Sequence, residues 1–199
     1  MSVVMDRGVT NPGRARQRIT VDEYYRMAEE GLLPPNARTE LIDGEIITMP
    51  PIGMEHSGTS NYVLERFITT LLGRAIVSPS LTLCLDDYSA PEPDACVLKY
   101  REDYYRRKRA APADVLLVAE VSHSSLNNDR KIKAPLYART GIPEYWIFDV
   151  QACQLEIYRR PLNGTYSKIA VVDQGDALSI ELLPDVKIDL SDFFESDDS

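Results

Sequence analysis

The chain has 199 residues, 44% hydrophobic and 27% charged, which is enough apolar material for one core in a soluble fold. No apolar run approaches the roughly 20 residues that a membrane-spanning helix needs, so no membrane role is expected. A net charge of −9 excludes coating nucleic acid by bulk electrostatics, although a local basic patch stays open.

Residues 1–17 read as a flexible polar lead-in without the apolar core of a signal peptide. Arg14 and Arg16 there, with Arg18 just after, are candidates for a basic rim. Residues 18–192 read as a single domain, and 193–199 as an acidic tail. Cys84, Cys96 and Cys153 are odd in number and sit in apolar runs, which predicts reduced core thiols in a cytoplasmic protein. Their spacing does not suit a zinc site.

In chain order, Thr20 and Glu23 have capping-box spacing and open a helix over "VDEYYRMAEE" that ends at Gly31. Pro34-Pro35 prevents it from resuming. "RTELIDGEIITMP" predicts a hairpin turning on Asp43-Gly44. In "MEHSGTSNYVLERFITTLLG", Val63, Leu64, Phe67, Ile68, Leu71 and Leu72 recur at helical spacing, and Gly73 closes the helix. "AIVSPSLTLCLDD" and "PDACVLKY" read as strands, the first interrupted by Pro79. "REDYYRRKRAAP" is a short helix or loop, and "VLLVAEV" a strand buried on both faces. "SHSSLNN" is a loop in which Asn127 or Asn128 caps a helix running to Arg139 or Thr140, where Gly141 and Pro143 stop it. "EYWIFDV", "QLEIYRR" and "YSKIAVVD" form a meander, and "ALSIELLPDVKIDL" adds one or two short strands. This order predicts an α/β fold: a mixed β-sheet flanked by helices, with a C-terminal antiparallel meander.

Two acids mark the candidate site. Asp94 opens one strand and Glu120 closes another. The intervening segment can fold the strands side by side, and two carboxylates meeting there need a positive charge between them. A divalent metal, Mg²⁺ or Mn²⁺, supplies it, and the backbone carbonyl of Val121 is a candidate third ligand. Asp129, Lys133 and Tyr137 follow at four-residue spacing on one helix face. Lys133 is placed to orient an attacking water and offset phosphate charge. Lys131 points about 200° away from it.

Pro93-Asp94, Glu120 on an apolar strand and a nearby lysine resemble the PD-(D/E)xK nuclease superfamily. More specifically, "ELIDGEIITMPPIGMEH", "PEPDACVL", "LLVAEVSHSS" and "DRKIKAPLYARTGIPEYWIFD" resemble, in order, the Uma-two family of restriction-endonuclease-like proteins. The resemblance runs from about residue 20 to about residue 190. It implies a restriction-endonuclease-like core and metal-dependent hydrolysis of phosphodiesters, most naturally in DNA. Ser122 stands where the superfamily usually places its lysine, and the Uma-two pattern implies that Lys133 replaces it from the helix. Glu40 and His56 fall on two further positions of that pattern, as a supporting acid and a phosphate or water contact, with Tyr137 as a supporting hydroxyl.

Plainer readings stand beside these. Asp94 after proline also suits a turn, and Asp129 with Lys133 also suits a surface ion pair. Glu40 also suits a partner across the hairpin or Arg38. His123 reads as incidental, and Tyr145 and Trp146 as packing. Arg106, Arg107, Lys108 and Arg109 are either a solvated face or a nucleic-acid contact near the cleavage site. The leading expectation is an endonuclease acting as a homodimer. The alternatives are a catalytically silent nucleic-acid or protein-binding module on the same fold, and a structural interaction protein.

Overall fold

A computed structural model describes residues 17–34, 38–175 and 177–195. The expectations for residues 1–16, Pro35 and 196–199 lie outside the described residues.

Helix α1 (Val21–Glu29) starts as the spacing predicts: Glu23 N–H donates to Thr20, and the Glu23 carboxylate accepts from the Thr20 amide. Strands β1 (Thr39–Ile42) and β2 (Glu45–Thr48) form the hairpin. Asp43 and Gly44 both have positive φ, 53° and 79°, as a tight two-residue turn requires. α2 (Met54–Leu71) is the long helix, with only Val63, Phe67 and Leu71 buried. Its apolar stripe is narrower than the sequence suggests, because Ile68 and Leu72 face outward.

The main sheet has six strands in the order β3-β4-β5-β6-β7-β8. They are β3 (Ala75–Pro79), β4 (Ala95–Lys99), β5 (Val115–Ser122), β6 (Glu144–Asp149), β7 (Gln154–Leu162) and β8 (Thr165–Val172). All neighbours are antiparallel except β5 and β6, which are parallel. A parallel pair needs a crossover, and the helical segment 126–139 provides it. β3 stops at Pro79, so most of "AIVSPSLTLCLDD" is not strand. "ALSIELLPDVKIDL" forms no strand, only an isolated bridge between Leu178 and Ile188. Residues 101–111 form turns, with Tyr104 and Tyr105 at positive φ.

Alternation along the strands sorts the two faces. Ala95, Val97, Leu117, Ala119, Trp146 and Phe148 pack with Val63, Phe67 and Leu71 of α2. Cys96, Leu98, Val118, Tyr145 and Ile147 pack with Ala134, Leu136, Tyr137 and Ala138 on the opposite face. Tyr145 and Trp146 are fully buried packing residues. The three cysteines are free, and of them only Cys96 is buried.

The crossover segment departs most from expectation. It begins two residues before Asn128, as α3 (Leu126–Asn128), with Ser125 at the cap position rather than an asparagine. Asp129–Lys133 is a π-helical turn in which Ala134 N–H reaches the Asp129 carbonyl. α4 (Ala134–Arg139) completes the segment. Pro135 explains the wide turn. It has no N–H, and its ring would strike the Lys131 carbonyl in a regular helix.

Candidate active site

The site lies where β4 begins and β5 nears its end. The last ladder pair on that side is Ala95 with Ala119, so the amide of Val121 extends beyond the ladder. Asp94 Oδ2 accepts that amide at 2.8 Å. Asp94 therefore satisfies the sheet end while keeping its carboxylate beside β5. N–H and C=O of one extended residue point the same way, so the Val121 carbonyl faces this side too.

Glu120 sits within β5, two residues before its end rather than at it. The period of two turns Val118, Glu120 and Ser122 toward the crossover segment. Strand and segment run in opposite directions, so Ser122 meets Asp129 while Glu120 meets Lys133 and Tyr137. The Ser122 hydroxyl donates to Asp129 Oδ2 at 2.6 Å, and Ser125 donates to the same oxygen at 2.7 Å. Lys133 Nζ donates to Glu120 Oε1 at 2.8 Å, and Tyr137 Oη donates to it at 3.0 Å. Asp129, Lys133 and Tyr137 are all buried, at 1%, 1% and 0% exposure, which excludes a surface ion pair. Lys131 is exposed, on the other side of the segment.

The hairpin brings in Glu40. Its Oε1 accepts from Lys133 Nζ at 3.1 Å and from the Glu92 amide at 3.0 Å. Its other oxygen, Oε2, is buried without a hydrogen-bond partner. Arg38 reaches Glu92 instead of Glu40. From α2, His56 Nε2 lies 3.3 Å from Asp94 Oδ2, and its Nδ1 lies 3.3 Å from Ser60 Oγ. His123 is not idle: its Nε2 pairs with Glu55 at 2.8 Å.

Burial dominates the electrostatics. It pushes Glu120 well above the usual carboxyl range; Lys133 opposes this, and Asp129, Asp94 and Glu40 add to it. Burial also raises Asp129, against Lys133 and the two serine hydroxyls. Burial works against the charge on Lys133, but Glu120, Glu40 and Asp129 outweigh it and hold the ammonium protonated. The Asp94 hydrogen bond raises His56 despite partial burial.

Glu40, Asp94, Glu120, Asp129 and Lys133 line a cavity of about 30 Å³, large enough for one small ion or water. Among the described residues, no three His, Cys, Asp or Glu side chains already surround one point as a finished cation cage. Lys133 occupies that place, taking one oxygen from each glutamate. The donor set nevertheless fits a hard divalent cation. It is all oxygen, crowded with carboxylates, and contains one buried oxygen with nothing to bind.

None of Arg106, Arg107, Lys108 and Arg109 lines the carboxylate cavity. Arg106, Arg107, Lys108 and Arg109 follow the far end of β4, whereas Asp94 precedes its start. Arg109 instead lines a separate groove with Tyr25, Pro79 and Ser80. Arg109 stacks over Tyr25 at 4.4 Å. Sequence reasoning missed Ser125 and the Glu92 amide, and it gave Ser122 no hydrogen-bonding role. Alternation along β5 could have placed Ser122; nothing local signals the Glu92 contact.

The mixed six-stranded sheet flanked by helices recurs in a solved structure. The solved structure of a putative nuclease belonging to DUF820 from Anabaena variabilis superposes with a TM-score of 0.66 at 18% identity, covering 88% of this chain and 97% of that one. No match is found among curated proteins. The model of the Uma2 family, described as putative restriction endonuclease, matches residues 21–191. The chain belongs to the Uma2 family.

Proposed function

We propose that this protein is a metal-dependent endonuclease that hydrolyses phosphodiester bonds in DNA. The observation that carries the reading is the buried meeting of Glu40 and Glu120 at Lys133 in a cavity that Asp94 also lines, with Glu40 Oε2 unpartnered. Buried carboxylates at this density cost several kcal/mol each unless cations offset them, which favours a site kept for chemistry over one kept for stability.

Asp94 and Glu120 would hold Mg²⁺ or Mn²⁺, with Glu40 Oε2 and the Val121 carbonyl as further donors. When bound, the ion would supply charge neutralisation at the phosphate. Lys133 is the fixed cation of the site and the donor that orients the attacking water. Tyr137 holds Glu120 Oε1 in place. His56, its protonated form favoured by Asp94, would add positive charge facing a phosphate at the mouth of the cavity. The free thiols suit a reducing, cytoplasmic setting.

A second reading has its own observation. Lys133 already neutralises Glu120 and Glu40, as it would in a silent binding module on the same fold. Supercoiled plasmid incubated with Mg²⁺ or Mn²⁺, with EDTA and Glu120→Ala protein as controls, separates the two. Metal-dependent nicking lost in the variant supports the enzyme. Folded protein that neither cleaves nor binds either ion by calorimetry supports the silent module.

The proposal extends to a homodimer through β8. That strand is a sheet edge eight residues long, with Ile169 and Val171 each 58% exposed and Lys168 as its one charge. Sedimentation should give a dimer that Ile169→Lys converts to monomer. A monomeric wild type at about 10 µM would refute the dimer, since stable protein pairs bind well below that.

A further inference from the structure

Beside the carboxylate cavity lies a groove of about 340 Å³ that shares Arg38, Met49, His56 and Ser125 with it. One wall is the run "MPPIGM", residues 49–54, which leads into α2. Met54 is 92% exposed and Ile52 49% exposed. The other side is polar, carrying Arg38, His56 and His123. Glu55 is the acid on this rim, and His123 already pairs with it.

We propose that this groove binds one unpaired nucleotide next to the scissile phosphate, with its base on the Met-Pro-Ile wall. The inference rests on the nuclease reading and adds a substrate class: single-stranded or locally unpaired nucleic acid.

Three observations select this occupant. The groove is amphipathic in the sense a nucleotide requires, apolar where a base would lie and cationic toward the site where its phosphate would lie. Apolar side chains of this kind, Met, Ile and Pro, are those that proteins set against unstacked bases. The size is also right. At the low end of the ~300–1,000 Å³ range of ligand clefts, the groove seats one splayed nucleotide and no helix. Finally, the chemistry is deep. Glu120 and Lys133 are 4% and 1% exposed, and Asp94 and His56 side chains only 14% and 18%. A duplex keeps its bases stacked inside and offers the wall nothing to touch, whereas a splayed strand can push its phosphate inward. Pro50 and Pro51 restrict the wall's backbone, so little entropy is lost on contact. Gly53 gives α2 no side-chain cap, which leaves first-turn amides beside the groove for an anion.

The test uses full-length protein in EDTA, so that nothing is cleaved. Dye-labelled single-stranded DNA of mixed sequence, its duplex, and an RNA strand of the same sequence are titrated by fluorescence anisotropy. Wild type is compared with Ile52→Ala/Met54→Ala, and urea midpoints check that the variant folds. Wild type should prefer the DNA strand to the duplex, and the variant should bind the strand about tenfold more weakly, the scale of one lost base contact. Duplex binding should not change. Equal loss on the RNA strand supports recognition of the base alone, and loss confined to DNA supports recognition of the base with its sugar. A variant that binds every strand like wild type, a preference for duplex, or no strand binding at all overturns the proposal. Plasmid cleavage keeps the two hypotheses apart. Metal-dependent cleavage with variant-insensitive strand binding refutes the groove and keeps the nuclease. Variant-sensitive strand binding without cleavage does the reverse.

Discussion

Lys133 is an ammonium in the protein interior, held by Glu40 and Glu120 and by no solvent. Removing one partner of such a group leaves the others charged and buried. Lys133→Met should therefore cost about 3–5 kcal/mol of stability, read from urea midpoints. A cost under about 1 kcal/mol would mean the pair is solvated, as surface pairs are. The four-residue spacing of Asp129, Lys133 and Tyr137 put all three on one face in the sequence, and all three are buried on one face. Their contact with Glu40 was not legible, because 93 residues separate Glu40 from Lys133 and nothing local records the approach. Glu144 gives a second test, away from the site. It accepts from Trp146, Arg159 and the Glu181 amide, yet burial raises its pKa above the ordinary 4.5. The folded state thus keeps a proton that the unfolded chain releases, so this group's contribution to stability falls as pH rises from about 4.5 through the raised value. Glu144→Gln cannot titrate. The stability gap between wild type and variant should narrow across that window, and a widening gap in urea titrations would contradict the sign.

At the scale of elements, the π turn sets the site. In a regular helix the residues before Pro135 would rotate by about 100° for each residue of register lost. Pro135→Ala restores an N–H for the Lys131 carbonyl and removes the clash. Alanine is about 3 kcal/mol the better helix former in isolation, so a purely local argument predicts a more stable protein. The tertiary argument predicts the reverse. A regular turn swings Lys133 off Glu120 and breaks a buried pair worth about as much or more. A lowered urea midpoint supports the second argument, and a raised one refutes it. The capping box, the Asp43-Gly44 turn and the meander were legible because their signals are local. The Ser125 start of α3 and the π turn were not, because Asn127 and Asn128 are good caps and Pro135 offers several ways to avoid its clash. The short strands expected near the C-terminus failed for a related reason. Ile180, Val186, Ile188 and Leu190 are apolar because they cover the α2 face of the core, not because they extend the sheet.

At the scale of the molecule, the excess of buried acid predicts a response to cations. A ligand that binds only the folded state stabilises it by mass action, by about 2.7 kcal/mol at a hundredfold excess over Kd. Mg²⁺ or Mn²⁺ should raise the urea midpoint, EDTA should reverse the gain, and Asp94→Asn should abolish it. A midpoint indifferent to both ions at millimolar levels would refute the metal site whatever the enzyme assay shows. The basic cluster at 106–109 teaches the converse lesson. Its composition suited a phosphate contact, but none of its side chains lines the carboxylate cavity.

The sequence by itself determined the order of most helices and strands, the hairpin turn and the first helix cap, because period, caps and turns act over a few residues. It also marked Glu120, since an acid on the most apolar run is costly and so conspicuous, while Asp94 and Lys133 stood out from their plainer readings through the family resemblance. Only the tertiary structure decided that Glu40 and Lys133 meet, that Asp94 closes the sheet end at Val121, and that the basic cluster does not line the cavity. Those are distances between segments far apart in the chain. They follow from strand order and from the volume of a shared core, to which no single segment carries the answer.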